Sequence, residues 1–305
     1  MPSSKSLWQS FVISQDSENA QTSAFAVHMN RLQNAPTLDV DVVSHCNLNC
    51  AACCHFSPAA DPTFLALEDY LRDLAKLAKI EGVAEYFEAI CLMGGEPLLH
   101  PELPAFIRAT HDYLPEAQVR VVSNGLLLES MPSEFWDALQ LPKTDLLLTP
   151  YPVGLDYDAL ARLAKSKGVD ASVGGGLSPD GEDTYFLRSP LDETGSQDKS
   201  ASFADCPLGG STMQLLDGRI FPCNRGALFG IINARFGTSF THEPDDYLDL
   251  DDIRTADEID TFRRSARPMC RYCVSQITER IDWRQSDVDA YEWLMRPDEY
   301  ERMSH

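Results

Sequence analysis

The sequence LDVDVVSHCNLNCAAC, residues 38–53, runs from a strand-like segment straight into three closely spaced cysteines. We predict a β-strand over Leu38–Val43, so that Cys46, Cys50 and Cys53 follow directly after its carboxyl end. Three thiolates this close together can hold three irons of a cubane or a zinc ion, because soft sulfur ligands favour both. The segment therefore predicts a metal site at the end of the first strand.

Beyond this strand, predicted strands alternate with predicted helices. Strands are expected at Leu38–Val43, Tyr86–Met93, Gln118–Ser123, Asp145–Thr149, Asp170–Val173 and Thr184–Leu187. Helices are expected at Leu65–Ile80, Pro101–Tyr113, Ser133–Leu139 and Tyr157–Lys167. Strands separated by helices of this length pair in parallel through right-handed crossovers. The fold class is therefore α/β, and we expect a partial (β/α)6 barrel with its chemistry at the carboxyl ends of the strands.

The alternation ends near Arg188, and a polar, turn-rich segment begins at Leu191. We therefore expect a loosely ordered lead-in over residues 1–36, with a short helix near Ala24–Leu32, and the barrel over residues 37–190. A small auxiliary module is expected over residues 191–280, and a C-terminal tail with a short helix over residues 281–305.

The auxiliary module has local signals of its own. Asp217-Gly218 predicts a hairpin between Thr212–Leu216 and Arg219–Phe221, because both central residues of a type I′ turn need positive φ. A helix is predicted at Ala256–Arg264. We expect the module to be small and irregular.

The chain is strongly acidic, with 25 Lys and Arg residues against 47 Asp and Glu residues and a formal charge of -22. This charge argues against a nucleic acid or an anionic membrane as partner, because both require clustered cations. Solubility and attraction of a cationic substrate both explain it. Apolar runs are only strand-sized and the start lacks a signal-like segment, so we expect a cytoplasmic protein. Of its nine cysteines, we expect those that are grouped to bind metal rather than form disulfides.

Two more predicted strands end in segments suited to a ligand. The second leads into Gly94-Gly95-Glu96-Pro97, where two glycines leave the backbone accessible and a carboxylate can meet an ammonium group. The third ends in Ser123-Asn124-Gly125. Each of these segments alone is also compatible with a tight turn.

The CxxxCxxC spacing of the first cysteines resembles the signature of the radical S-adenosylmethionine superfamily. The resemblance implies a [4Fe–4S] cluster whose open iron chelates the amino and carboxylate groups of S-adenosylmethionine. It implies that Gly94, Gly95, Glu96 and Pro97 receive the methionine amino group, and that Ser123 and Asn124 lie near the ribose and carboxylate. The family commonly has an aromatic residue before the third cysteine. This chain has Ala52 there, and Phe56 is the expected substitute for the adenine contact.

Four more thiolates, those of Cys206, Cys223, Cys270 and Cys273, lie in the auxiliary module. Four sulfur ligands suit structural zinc or a fully ligated iron–sulfur cluster. The spacing around Cys206 and Cys223 resembles the opening of the SPASM auxiliary-cluster domain, and the absence of cysteines after Cys273 resembles its shortened form, the twitch domain. This resemblance implies an auxiliary [4Fe–4S] cluster that moves electrons rather than binds substrate.

The whole layout resembles the 2-deoxy-scyllo-inosamine dehydrogenases. This resemblance implies reductive cleavage of S-adenosylmethionine to a 5′-deoxyadenosyl radical, which abstracts hydrogen from a small polar substrate, cationic, carbohydrate-like or amino-acid-like. A two-electron oxidation would follow, with one electron passing to the auxiliary cluster. An external electron donor of the flavodoxin or ferredoxin kind is implied as well. Arg188, at the end of the last predicted strand, is the expected hydrogen-bond donor to a substrate oxygen.

Three alternatives remain at this point. An epimerase would need a thiol that returns hydrogen to the substrate, and Cys54 is the spare cysteine near the first cluster. A peptide-modifying enzyme that matures ribosomal peptides would often carry a leader-binding domain, for which 36 N-terminal residues are too few. A zinc-stabilised interaction protein would use both cysteine groups structurally and would be colourless, whereas iron–sulfur protein is brown.

Overall fold

The computed structural model describes residues 36–174, 185–206, 208–275, 277 and 279–303. The lead-in before residue 36, with its expected helix near Ala24–Leu32, lies outside these residues. The strands are β1 (Thr37–Val43), β2 (Ala89–Gly94), β3 (Val119–Ser123), β4 (Thr144–Leu148), β5 (Asp170–Val173), β6 (Tyr185–Arg188), β7 (Thr212–Leu216), β8 (Arg219–Phe221), β9 (Leu248–Asp249) and β10 (Glu279–Asp282). The helices are α1 (Leu67–Leu77), α2 (Val83–Tyr86), α3 (Leu103–Tyr113), α4 (Ser133–Leu139), α5 (Tyr157–Ser166), α6 (Lys199–Ala204), α7 (Asn224–Ala227), α8 (Phe229–Phe236), α9 (Ala256–Arg263) and α10 (Pro297–Met303).

One eight-stranded sheet dominates the molecule, in the order β5-β4-β3-β2-β1-β7-β8-β9. Neighbouring strands from β5 to β7 pair in parallel, whereas β8 and β9 are antiparallel to their neighbours. The sheet is open, with β5 and β9 as its ends. The α/β fold class with a partial, unclosed barrel of parallel strands is therefore confirmed.

The sixth parallel strand is not the one that the sequence predicts. The segment expected as the last barrel strand forms β6, which pairs antiparallel with β10 in a separate two-stranded sheet. Instead, β7 pairs with β1 from Thr37 opposite Thr212 to Val40 opposite Leu215. The second edge of β1 needs a backbone partner because it is buried, and β7 supplies one while adding Met213 to the core.

The hairpin predicted at Asp217-Gly218 is present. Both residues have positive φ, 50° and 74°, and they join β7 to β8 in antiparallel pairing. Because β7 belongs to the main sheet, this hairpin extends the barrel sheet into the auxiliary module. The boundary expected near residue 190 therefore does not divide the sheet.

The two faces of β1 differ sharply. Leu38, Val40 and Val42 are at most 1% exposed and pack in the main apolar core beneath the helices. On the other face, Asp39 is in register with Cys91, followed across the sheet by Arg120 and Asp145. Burial raises the pKa of Asp39 to about 6, although nearby His55 lowers it. The parallel strands thus carry an apolar layer under the helices and a polar row on the opposite face.

A second apolar cluster lies in the auxiliary module and the C-terminal segment. It includes Phe229, Phe240, Tyr272 and Trp293, and it also takes in Phe56 from the cysteine loop. The C-terminal segment ends in α10, which agrees with the short helix expected there. Among the described residues, none of the helices has the length and apolar character needed to span a membrane.

Candidate active site

The carboxyl ends of β1 and β2 meet at the two adjacent glycines. Gly95 N donates to Val43 O at 2.7 Å, and Glu96 N donates to His45 O at 3.0 Å. A Cβ added to Gly95 would lie 1.8 Å from His45 O, so a larger residue cannot occupy this position without moving the backbone. The glycines therefore bring the second strand end directly against the start of the cysteine loop.

Glu96 connects this junction to the end of β3. Its carboxylate is buried and accepts from Leu98 N at 3.0 Å, Ser123 Oγ at 2.7 Å and Asn124 N at 2.9 Å. Burial raises the pKa of Glu96 to about 7, against the opposing effect of these hydrogen bonds. The structure therefore brings together three residues that the sequence predicts as cofactor contacts: Glu96, Ser123 and Asn124.

The loop with Cys46, Cys50 and Cys53 lies over this junction. Leu48 N approaches Cys46 Sγ at 3.4 Å, while Asn124 Nδ2 lies 3.8 Å from the same sulfur. Burial raises the pKa of Cys46 to about 11 and of Cys50 to about 12, and mutual repulsion between the thiolates adds to both. The three thiols are therefore close neighbours at the strand ends, as predicted.

The four other predicted ligands also gather at one place. Leu191 forms an isolated antiparallel bridge with Cys273, and Cys273 N donates to Cys270 O at 3.1 Å. Burial raises the pKa of Cys223, and the thiols of Cys273, Cys206 and Cys270 raise it further. Burial, and after it the thiol of Cys273, raise the pKa of Cys206 to about 11.

Both cysteine groups are chemically suited to iron–sulfur clusters. Each offers thiols alone, without carboxylates, and this soft donor set favours iron–sulfur clusters and zinc. Within the described ranges, no three His, Cys, Asp or Glu side chains converge on a point that could hold a single metal ion. A cubane does not require such convergence, because each thiolate ligates a different iron.

A hydrogen-bonded chain joins the two cysteine groups. Asp41 contacts buried His55, with its carboxylate oxygens 3.0 and 3.1 Å from Nδ1. His55 Nε2 lies 3.0 Å from Asn224 Nδ2, and the same amide nitrogen lies 3.6 Å from Cys54 Sγ. Because Cys54 follows Cys53 and Asn224 follows Cys223, this contact connects the two loops that carry the thiols.

The ionisable groups in this hydrogen-bonded series shift one another's pKa values. Burial lowers the pKa of His55, but Asp41 and Cys54 outweigh it, and the pKa is raised well above its ordinary value. For Cys54, burial raises the pKa, but His55 and Asn224 outweigh it and the net shift is downward. Cys54, predicted as a hydrogen donor, thus lies in a polar contact network rather than an apolar pocket.

Two predicted site residues have other surroundings than expected. Arg188 is 2% exposed and donates to Glu299 Oε1 at 2.7 Å, to Tyr291 O at 2.9 Å and to Leu294 O at 2.8 Å. These contacts hold the C-terminal segment, and the contact of Arg188 with a substrate oxygen stays a prediction. Phe56 is fully buried, with its ring centroid 6.3 Å from that of Trp293, and its contact with an adenine stays a prediction.

The structure adds residues that the sequence did not indicate. The pKa of Tyr151, just after β4, is raised by burial and by the thiols of the first cysteine group, which places its ring beside them. Arg225 Nη2 donates to Ser189 O, and its charge lowers the pKa of Cys54 and of Cys273. Arg225 therefore lies between the cysteine groups, and its position next to Cys223 was the one available signal in the sequence.

The C-terminal segment contributes a further contact with the first group. Trp283 Nε1 lies 3.1 Å from Cys50 Sγ, and Trp293 Nε1 donates to Cys53 O at 2.9 Å. These residues lie more than two hundred positions from their partners, so periodicity and spacing give no sign of the contacts.

Sequence relatives of the chain are GTP 3′,8-cyclases, which form a radical S-adenosylmethionine enzyme family. The protein from Nautilia profundicola is 33% identical over 102 residues, covering 32% of this chain and 30% of the relative. The protein from Helicobacter pylori is 34% identical over 101 residues, 32% of this chain and 30% of the relative. The chain thus matches less than a third of the length of these relatives. No protein-family profile matches the chain.

Solved structures similar to this chain include BtrN in complex with AdoMet and 2-DOIA, with a TM-score of 0.46 and 15% identity over 78% of this chain and 92% of that one. Methylornithine synthase gives a TM-score of 0.35 and 14% identity over 56% of each chain. Over the matched third of its length, the chain is therefore similar in sequence to radical S-adenosylmethionine enzymes, and this match joins the cysteine loop and the glycine junction as a shared feature.

Proposed function

We propose that the protein is an oxidoreductase that removes a hydrogen atom, a proton and an electron from a small polar substrate. The observation that carries the proposal is the presence of two thiol groups, one of three and one of four cysteines, whose loops touch through Cys54 and Asn224 at 3.6 Å. A radical reaction alone needs one such group. A second, fully thiol-ligated group next to it favours a reaction that also releases an electron.

Cys46, Cys50 and Cys53 would hold the first [4Fe–4S] cluster, and Cys206, Cys223, Cys270 and Cys273 would hold the auxiliary one. When bound, the first cluster supplies the electron that cleaves S-adenosylmethionine to the 5′-deoxyadenosyl radical, and the second accepts the electron that the substrate releases. An external donor of the flavodoxin or ferredoxin kind would replenish the first cluster. The proposal also includes an auxiliary module with limits near residues 190 and 280.

The strand-end residues would hold the S-adenosylmethionine. Gly94 and Gly95 bring the end of β2 against the cysteine loop, the ionised form of Glu96 would suit the methionine ammonium group, and Pro97 begins the turn that follows. Ser123 and Asn124 are held in place by Glu96 at 2.7 and 2.9 Å, so cofactor contacts from two strands would depend on one carboxylate.

The proposed oxidation is balanced as follows. A carbinol C–H bond breaks, and its hydrogen atom joins the 5′-deoxyadenosyl group to give 5′-deoxyadenosine. The O–H proton leaves to a base or to water, one electron leaves to the auxiliary cluster, and a C=O bond forms. A cationic or carbohydrate-like substrate fits this chemistry, and the formal charge of -22 favours the cationic kind.

Epimerisation is a second candidate, supported by Cys54. Its thiol lies beside His55 and Asn224, close to the first cysteine group, where it could return a hydrogen atom to the substrate radical. Such a reaction leaves the substrate with no net oxidation and introduces solvent deuterium at the carbon. Peptide modification and a zinc-stabilised interaction protein remain further alternatives.

Cyclisation of a nucleotide is a third candidate, because the sequence relatives are GTP 3′,8-cyclases. The acidic charge of this chain disfavours a triphosphate, whose own negative charge would be repelled. GTP therefore serves as a probe in the decisive experiment, beside aminocyclitols and neutral sugars.

The test is anaerobic reconstitution with iron and sulfide, followed by dithionite and S-adenosylmethionine. We expect about eight irons per chain, as for two cubanes, and formation of 5′-deoxyadenosine. Replacing Cys46, Cys50 and Cys53 by Ala should abolish 5′-deoxyadenosine. Replacing the four module cysteines should leave about four irons and keep the cleavage, yet abolish the oxidised product.

Other outcomes of this experiment would each point to one alternative function. A colourless protein with bound zinc and no cleavage would overturn the radical function. Deuterium in an unoxidised product, lost in Cys54→Ser, would establish epimerisation, and a cyclised product from GTP would establish the reaction of the relatives.

A further inference from the structure

The C-terminal segment 283–286 crosses the first cysteine loop; we refer to it as the strap. Ala51 N donates to Arg284 O at 2.9 Å, and Ser286 N donates to Asn49 O at 2.7 Å. These two backbone bonds flank Cys50, which itself pairs with Gln285 as an isolated antiparallel bridge. The strap is therefore fixed to the loop on both sides of one predicted cluster ligand.

Trp283 begins the strap and reaches the sulfur of that ligand. Its indole nitrogen lies 3.1 Å from Cys50 Sγ. An indole N–H can only donate, so the sulfur is the acceptor, and a thiolate bound to iron would accept more strongly than a thiol. By contrast, Trp293 donates to the backbone oxygen of Cys53 rather than to sulfur. Trp283 is thus the indole that touches a ligand atom.

We propose that Trp283 sets the reduction potential of the cluster held by Cys46, Cys50 and Cys53, an inference that rests on the proposed function. Reduction adds negative charge to the cluster and its sulfur ligands. A hydrogen bond to a ligand sulfur therefore stabilises the reduced form more than the oxidised form and raises the potential. The strap adds to this effect by holding the donor in place.

The location of the donor couples the potential to folding. Trp283 and Cys50 are 233 residues apart, so the bond forms only once the chain after β10 has returned to the barrel. A chain without a docked strap would keep all three thiols but would hold a cluster of lower potential. Trp283 is therefore a tuning residue and not a ligand or catalytic residue.

The test compares wild type with Trp283→Phe by redox titration, followed through the electron paramagnetic resonance signal that changes when S-adenosylmethionine is added. At a fixed potential we expect the ratio of reduced to oxidised cluster to fall about tenfold in the variant, which corresponds to about 59 mV for one electron. Trp136→Phe is the matched control. It removes a buried indole that donates to Met131 O at 3.2 Å, and it should leave the potential unchanged.

A second measurement uses the wild-type protein and so does not depend on how the variant folds. Protein labelled with ¹⁵N at the tryptophan indoles should show a ¹⁵N coupling to the reduced cluster in pulsed spectra. The coupling should persist in Trp136→Phe and vanish in Trp283→Phe.

The possible failures are distinct. Wild-type protein without iron, or without a signal that responds to S-adenosylmethionine, would overturn the proposed function. A reconstituted wild-type cluster that lacks the ¹⁵N coupling, or a Trp283→Phe cluster with unchanged potential, would overturn this inference alone.

Discussion

Glu96 holds the ends of β2 and β3 in position at the candidate site. It accepts from Ser123, Asn124 and Leu98, and it comes directly after the glycines that join β1 to β2. Burying a carboxylate is costly unless its oxygens are hydrogen-bonded, and these three donors provide that compensation. A single buried side chain therefore joins the end of β2 to the end of β3.

This arrangement predicts a pH effect on stability. Burial raises the pKa of Glu96 from 4.5 to about 7, so between these values the folded chain holds a proton that the unfolded chain has released. The free energy of unfolding of the apoprotein should therefore fall as pH rises through this window, by on the order of 3 kcal/mol from Glu96. Denaturant unfolding of wild type and Glu96→Gln at several pH values measures it, and the variant should have the flatter profile.

Glu68→Gln provides the control for this measurement. Glu68 is an exposed carboxylate in the first turn of α1, and its replacement should leave the pH profile of wild type intact. A Glu96→Gln profile that runs parallel to wild type between pH 4.5 and 7 would show that the carboxylate does not carry this proton.

At the scale of residues, a sequence is most informative where its signal is local. The cysteine spacing and the Gly-Gly-Glu segment indicate the ligands and the cradle because neighbouring residues share one strand end. The packing of Arg188 and Phe56 was not predictable in this way, because their partners, Glu299 and Trp293, lie far along the chain. Contacts set by tertiary packing leave no periodic trace in a single sequence.

At the scale of elements, the junction of β1 and β2 sets the position of the cysteine loop. Gly95 allows a backbone approach that no side chain could share, since an added Cβ would lie 1.8 Å from His45 O. The cysteine loop starts at Cys46, the residue after His45. Any shift of the backbone at His45 therefore moves the thiols relative to Glu96.

We therefore predict that Gly95→Ala destabilises the fold by about 3 kcal/mol or more, the range of severe core strain, and impairs iron incorporation. Gly230→Ala is the matched control, because an added Cβ in α8 would meet nothing within 4 Å. That control should be neutral or more stable by roughly 0.5–1 kcal/mol, as for glycine replaced in a helix. Thermal unfolding and iron analysis of both variants check this, and equal stability of the two would contradict it.

The alternation of strands and helices from β1 to β5 was predictable because these strands and the longer helices between them have clear local patterns. Helix α9 and the hairpin at Asp217-Gly218 match their predictions closely, with φ values of 50° and 74° in the turn. Strand order was harder. β6 and β7 are both short, and which one pairs with β1 depends on the packing of whole segments rather than on their own residues.

At the scale of the molecule, the ion pair of Arg188 with Glu299 fastens the C-terminal helix to β6. Both side chains are nearly inaccessible, at 2% and 1% exposure. Removing one partner of a buried pair costs roughly 3–5 kcal/mol, and the half-exposed Glu279, 3.6 Å from Arg188, offsets only part of this cost. The pair therefore decides whether the last residues of the chain stay docked.

A double-mutant cycle tests this docking. Arg188→Met and Glu299→Leu should each destabilise the protein by about 3 kcal/mol or more, while the double variant should lose clearly less than the sum. Urea unfolding provides the free energies. The exposed pair Arg302 and Asp298 is the control, and its cycle should give less than about 0.5 kcal/mol. Additive losses at Arg188 and Glu299 would reject the coupling.

The continuity of the main sheet has a mechanical consequence. Because β7 is bonded to β1, the strand before the first cysteine loop and the strand before Cys223 belong to one hydrogen-bonded sheet. A sheet of eight strands resists bending, so thermal motion would change the distance between the two cysteine groups very little. An electron transferred between the groups would therefore cross nearly the same distance in every turnover. The stiffness of the sheet would in this way keep the rate of electron transfer constant.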